Sequence, residues 1–251
     1  VDKASADRVS VDEAGNAPAA PRRHPGPRYS WLIPAGLLLI LAILTINVLV
    51  HGPLVTLDER IRDAVLPRAH SPAWRWLSDT PHGPAPLLTD LGMTTVAVPI
   101  LAAVALALAI RRHTIRPVLI ALTGVALLLG TVIPAKILIA RPGPGLPPVS
   151  PGALGVFPSG HTSTACICFS LAVLMLVAGQ PARTRYLALA GLGLLWLGVG
   201  AALVWCDWHW FTDVAAAWIL SALLIQLTFW IYRARTSPAG RPAEPSGHPA
   251  R

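Results

Sequence analysis

WLIPAGLLLILAILTINVLV, residues 31–50, runs for twenty residues without a charged side chain. A helix rises about 1.5 Å per residue, so a run of this length matches the roughly 30 Å hydrocarbon core of a bilayer. Its reading sets the solvent for the whole chain. The composition agrees: 54% of the residues are hydrophobic and 13% charged, nine are Trp, and the mean hydropathy is +0.58. That profile belongs to an integral membrane protein and excludes an ordinary soluble domain.

Five further apolar runs follow, at about Leu91–Ile110, Pro117–Ala140, Thr162–Gly179, Tyr186–Trp205 and Thr212–Tyr232. The expected fold class is therefore all-α, a bundle of six transmembrane helices. The first run is full length, lies behind a polar segment and is not followed by a clear small-residue cleavage site, so it is expected to stay as an anchor. Residues 1–28 and 236–251 are rich in Pro, Ala, Gly, Ser and charge and poor in large apolar groups. They are expected to be disordered tails around a membrane domain at 29–235.

Orientation follows from the basic residues. Arg22, Arg23 and Arg28 precede the first span, Arg111, Arg112 and Arg116 sit between the second and third, Arg183 and Arg185 between the fourth and fifth, and Arg233, Arg235 and Arg241 after the sixth. All four segments fall on one side of a six-span chain, which makes both termini cytoplasmic. The formal charge of +8 then reads as topology signal and affinity for anionic lipid head groups. Scattered basic residues with no recognition motif argue against nucleic acid as a partner. Cys166 and Cys168, two apart within the fourth span, read as buried, inert thiols and not as metal ligands; no metal or cofactor is expected, and the sequence leaves oligomeric state open.

Chemistry is expected in the segments facing the extracytoplasmic side. The first contains LDERIRDAVL, with Leu57, Ile61, Val65 and Leu66 at helical spacing, which predicts a short amphipathic helix on the membrane surface. Lys136, at the outer end of the third span, either snorkels to the interface or faces a polar cavity. In FPSGHTST, Phe157–Thr164, Ser159 has the position of a helix N-cap and Gly160 leaves the backbone accessible. Free amides and the helix dipole there would suit an anion, with His161 in the first turn; plain helix punctuation accounts for the same letters. In VWCDWHWFTDVAAAW, His209 and Asp213 are four apart, so on a helix the carboxylate can hold one imidazole nitrogen and leave the other as a nucleophile or base.

Lys136, then Pro158-Ser159-Gly160-His161, then His209 and Asp213, in that order on one face of a six-span protein, resemble the type 2 phosphatidic acid phosphatase superfamily. The resemblance covers nearly the whole chain between the tails. It implies a six-helix membrane bundle and metal-free phosphoryl transfer from a lipid or polyprenyl phosphate, or diphosphate. His209 would attack phosphorus to form a phosphohistidine, Asp213 would orient it, and His161 would protonate the leaving group and then activate water. Lys136, Ser159 and the Gly160 amide would hold phosphate oxygens, positive charge and positioning being what such transfer needs.

Two positions depart from the family pattern. An arginine is expected seven residues after Lys136 and another six residues before His209, and this chain has Gly143 and Leu203 there. A guanidinium fork on phosphate is a strong, directed pair of bonds, and finger arginines contribute about 10³ or more in rate. Arg141 is one candidate substitute. On a continued helix it would point about 140° away from Lys136, but Pro142 biases it to an extended conformation from which its side chain can swing inward. Arg60, Arg62, Arg68 and Arg75 of the first outer segment are others. Three functions follow from these residues: a lipid phosphatase, a family member that binds a head group or protein partner without turnover, or a six-span transporter or scaffold with a polar pathway.

Overall fold

A computed structural model describes residues 31–78 and 82–236, with the side chains of 234–236 excepted. Among these residues there are eight α-helices and no strand. They are α1 (Leu32–Leu49), α2 (Pro53–Ala69), α3 (Pro84–Asp90), α4 (Thr94–Arg111), α5 (Arg116–Ile139), α6 (Gly160–Leu176), α7 (Ala182–Trp205) and α8 (Phe211–Thr236). The disordered tails expected at 1–28 and beyond residue 236 lie outside the described residues, and Thr236 itself still belongs to α8.

Each expected span corresponds to one long helix. Five of them, α1, α4, α5, α7 and α8, are long and apolar enough to cross a membrane. The sixth, α6, has 17 residues and is the innermost: Thr162–Cys168 and Leu171 are all buried. It packs against α4, α5, α7 and α8. Its neighbours bear the opposite pattern, with Leu38, Leu106, Leu122, Leu138, Leu194 and Trp230 bare on the outside. An apolar surface of this extent is stable only against lipid, where helices satisfy their own backbone groups.

Three boundaries differ from the sequence expectation. The second span starts at Thr94 and not Leu91, because the turn at Leu91–Met93 separates it from α3, a short helix opened by Pro84 and packed on α7. Helix α7 begins four residues early, at Ala182, and α8 continues past Tyr232. In both places arginines extend the helix beyond the apolar run, and their long stems reach the interface from a helix end.

The expected amphipathic helix exists as α2, with Ile61, Val65 and Leu66 half-buried along it. Asp58 and Ala69 are buried, Arg62 and Val65 half-buried between them, whereas Leu57 is 40% exposed. Asp58 reaches Thr212 at the start of α8, and Arg62 reaches Asp207 between α7 and α8.

Candidate active site

The C-terminal end of α5, the N-terminus of α6, the end of α7 and the start of α8 meet at one end of the bundle. Helix α5 stops at Ile139, and Ala140 takes a left-handed conformation with φ of 46°. Pro142 then disfavours helical geometry at Arg141. The following segment folds back on the helix end. The Gly155 amide donates to the Lys136 carbonyl at 3.1 Å, the Val156 amide to the Arg141 carbonyl at 2.8 Å, and Lys136 Nζ to the Gly155 carbonyl at 2.9 Å. A Cβ on Gly155 would lie 2.5 Å from the Arg141 nitrogen, so this fold-back needs glycine.

Ser159 caps α6. Its Oγ accepts from the Thr162 amide at 3.3 Å, and its own amide donates to the Asp213 carbonyl at 3.1 Å, tying the start of α6 to the first turn of α8. Gly160 faces Lys136: a Cβ there would sit 3.3 Å from Lys136 Cε. The amides of a first helical turn have no acceptor within the helix, so that of Gly160 opens beside the Lys136 side chain. His161 is half-buried, with its ring 6.3 Å from that of Trp208 and within electrostatic reach of His209, Lys136 and Asp90.

His209 is 7% exposed and Asp213 fully buried. The Asp213 Oδ2 faces His209 Nδ1 at 3.3 Å and accepts the Trp210 amide at 3.1 Å. A carboxylate on Nδ1 favours the tautomer with its proton there, which leaves Nε2 with a free lone pair. Arg141 donates through Nη1 to Asp213 Oδ1 and to Thr212 Oγ1, and through Nη2 to Asp58 Oδ2 at 2.7 Å. Its guanidinium lies over the Trp210 ring, 5.3 Å from the centroid, and Trp210 Nε1 donates to the Pro142 carbonyl at 2.9 Å.

The structure thus gathers Lys136, Arg141, Ser159, Gly160, His161, His209 and Asp213 at one end of the bundle. Asp58, Thr212 and Trp210 belong to the same cluster and were not singled out from sequence. Asp58 turns to Arg141, and Arg62 makes a two-bonded pair with Asp207 at 2.8 and 2.7 Å. That pairing holds the Arg62 guanidinium above its usual range. At the two departures from the family pattern, Gly143 is buried in the fold-back and Leu203 is fully buried against Ala165, Val199 and Val214. Of the candidate outer arginines, Arg62 and Arg141 are engaged by carboxylates.

Among the described residues no group of three or more His, Cys, Asp or Glu side chains is arranged to hold a metal ion. A cavity of about 1130 Å³ lies at the opposite end, lined by apolar residues of α1, α6, α7 and α8 with Arg185 and Arg233. It holds neither histidine of the cluster.

Fold and cluster together define a multi-pass helical membrane protein with a two-histidine, carboxylate-supported polar site at one end. Residues 117–237 match the family model of the PAP2 superfamily. The match takes in every candidate residue from Lys136 to Asp213. The structure is similar to the crystal structure of a transmembrane PAP2-type phosphatidylglycerolphosphate phosphatase from Bacillus subtilis, with a TM-score of 0.67 and 24% identity over 82% of this chain and 98% of that one. No curated protein matches the sequence. The chain therefore has the fold of a PAP2-family membrane phosphatase.

Proposed function

We propose that the protein is a metal-independent lipid phosphatase that hydrolyses a lipid or polyprenyl phosphate, or diphosphate, at the extracytoplasmic face, with both termini in the cytoplasm. One observation carries this reading: the His209–Asp213 pair lies at the same end of the bundle as His161, Lys136 and the capped N-terminus of α6. The substrate phosphate rests on Lys136, the Ser159 hydroxyl and the Gly160 amide. His209 Nε2 attacks phosphorus, the bond to the lipid oxygen breaks, and His161 delivers a proton to that oxygen. The freed lipid alcohol, or the lipid monophosphate when the substrate is a diphosphate, leaves. His161, now neutral, takes a proton from water as its oxygen attacks the phosphohistidine, and inorganic phosphate and free His209 result. Asp213 holds Nδ1 through both steps, and Arg141 contributes through Asp213.

A panel of phosphatidic acid, phosphatidylglycerol phosphate, polyprenyl phosphate and polyprenyl diphosphate, assayed for phosphate release with the purified protein, tests the proposal. Turnover that vanadate inhibits and His209→Ala abolishes is expected; turnover that survives His209→Ala would sink the mechanism. A second reading is favoured by Gly143 and Leu203 at the family's arginine positions. In it the chain binds a phosphorylated head group without hydrolysing it. Saturable binding of a lipid phosphate with no phosphate release from any member of the panel would select that reading.

A further inference from the structure

Helix α2 lies outside the segment that matches the family, yet one of its carboxylates is the most deeply buried acid near the site apart from Asp213. Asp58 is 1% exposed, while Glu59 and Asp63, which follow it in the same helix, are exposed. All of its bonds go to the site. Oδ1 accepts the Thr212 amide at 2.9 Å, and Oδ2 accepts both Arg141 Nη2 at 2.7 Å and the Thr212 hydroxyl. Thr212 is the second residue of α8, where the helix leaves its amides without internal acceptors, so Asp58 caps α8 from another helix and places negative charge at its positive end.

From Asp58 a continuous chain of bonds reaches the nucleophile. Arg141 spans the two carboxylates, Asp58 through Nη2 and Asp213 Oδ1 through Nη1. With Oδ1 so engaged, Asp213 has Oδ2 for His209 Nδ1 and the Trp210 amide. One turn further along α2, Arg62 grips Asp207, two residues before His209. Two residues of α2 therefore bracket the histidine, Arg62 on its N-terminal side and Asp58, through Thr212 and Arg141, on its C-terminal side.

We propose that Asp58 is a positioning residue for the phosphoryl transfer proposed above, and that α2 serves as a clamp setting the His209 ring through Arg141 and Asp213. The inference rests on that reading of His209 as the nucleophile. It also gives Arg141 a role other than that of a phosphate ligand: its two donor arms are spent on holding the carboxylate behind the nucleophile. A buried Asp–Arg–Asp triad is a costly way to obtain stability alone, since apolar side chains of similar volume often serve as well. What apolar groups cannot do is fix which oxygen of Asp213 meets His209.

The test is Asp58→Asn in the full-length protein, which keeps the side-chain volume and removes the charge, with Glu59→Gln on the exposed face as control. Vanadate binding reports whether the pocket is intact. A misplaced nucleophile costs up to about 100-fold, so kcat per vanadate-binding site is expected to fall about 10- to 100-fold, with KM within about threefold of wild type. An unchanged kcat would overturn the proposal, and so would a raised KM at unchanged kcat, which would return Arg141 to the substrate. A second readout needs no turnover: the rate at which diethyl pyrocarbonate modifies His209, followed by peptide mass spectrometry. It is expected to change severalfold in Asp58→Asn and not in Glu59→Gln. If the wild type hydrolyses nothing, the phosphatase reading fails on its own, and an unchanged modification rate then overturns the clamp as well.

Discussion

Replacing Lys136 by Met removes the ammonium beside Gly160 while leaving a stem of similar length in the same place. Among the described residues it is the one cation at this point that no carboxylate holds, since Arg141 is bonded to Asp58 and Asp213 and Arg62 to Asp207. A unit charge about 4 Å from a phosphate oxygen is worth roughly 4 kcal/mol at the effective dielectric of a partly buried site. Lys136 is only half-buried, so water screens part of this. A loss of about 2–4 kcal/mol in transition-state stabilisation corresponds to about 30- to 1000-fold in kcat/KM. The fold loses far less. Met leaves the Gly155 carbonyl without its side-chain donor, at about 1 kcal/mol, while the backbone bonds of Gly155 and Val156 keep the fold-back closed. Phosphate release from mixed lipid–detergent micelles, read beside a thermal unfolding curve, separates the two effects. A Lys136→Met protein that unfolds near the wild-type temperature yet retains kcat/KM within threefold would refute the assignment of phosphate binding to this end of α5.

Ser159→Ala removes the α6 cap and is expected to cost about 1 kcal/mol of stability, visible as a lower unfolding temperature. Restoring the family's arginines should give unequal results. Gly143→Arg meets mainly the tip of Leu146, 3.0 Å from the added Cβ, and is expected to fold; Leu203→Arg drives a charge into a fully buried site and is expected to give no folded protein on size-exclusion chromatography. Cys206, whose thiol burial pushes from 9.0 up to about 11, should react with iodoacetamide about a hundredfold more slowly at pH 8 than an ordinary thiol and gain speed as the pH rises. Arg62→Gln breaks a half-buried, water-accessible pair and should change stability by about 1 kcal/mol, an effect that shrinks at high salt.

The bundle was legible because a bilayer demands long apolar helices, and only a few residues at each end depend on anything else. What sequence did not show was the short α3, whose prolines and turn lie in a segment with no periodic signal, and the burial of Asp58 on α2. Apolar spacing marks Ile61, Val65 and Leu66, which are half-buried, but carries no sign that Asp58 is buried as well, against Arg141 and the open amides of α8. His209 and Asp213 were readable at a spacing of four, and Ser159 by its place before an apolar run. Pro142 was a readable sign that Arg141 leaves the helix, but the destination of its guanidinium was not, since its partners are 83 and 72 residues away in sequence. Pairings of that range are set by how helices pack, which local pattern does not encode.

The nucleophile itself can be caught. A lipid phosphate labelled at phosphorus, mixed with the purified protein and quenched within a single turnover, is expected to leave an acid-labile, alkali-stable phosphate on the peptide that carries His209. Asp58→Asn should slow its formation. Turnover of the same lipid with no label on His209, or with label that persists in His209→Ala, would contradict a phosphohistidine at this position.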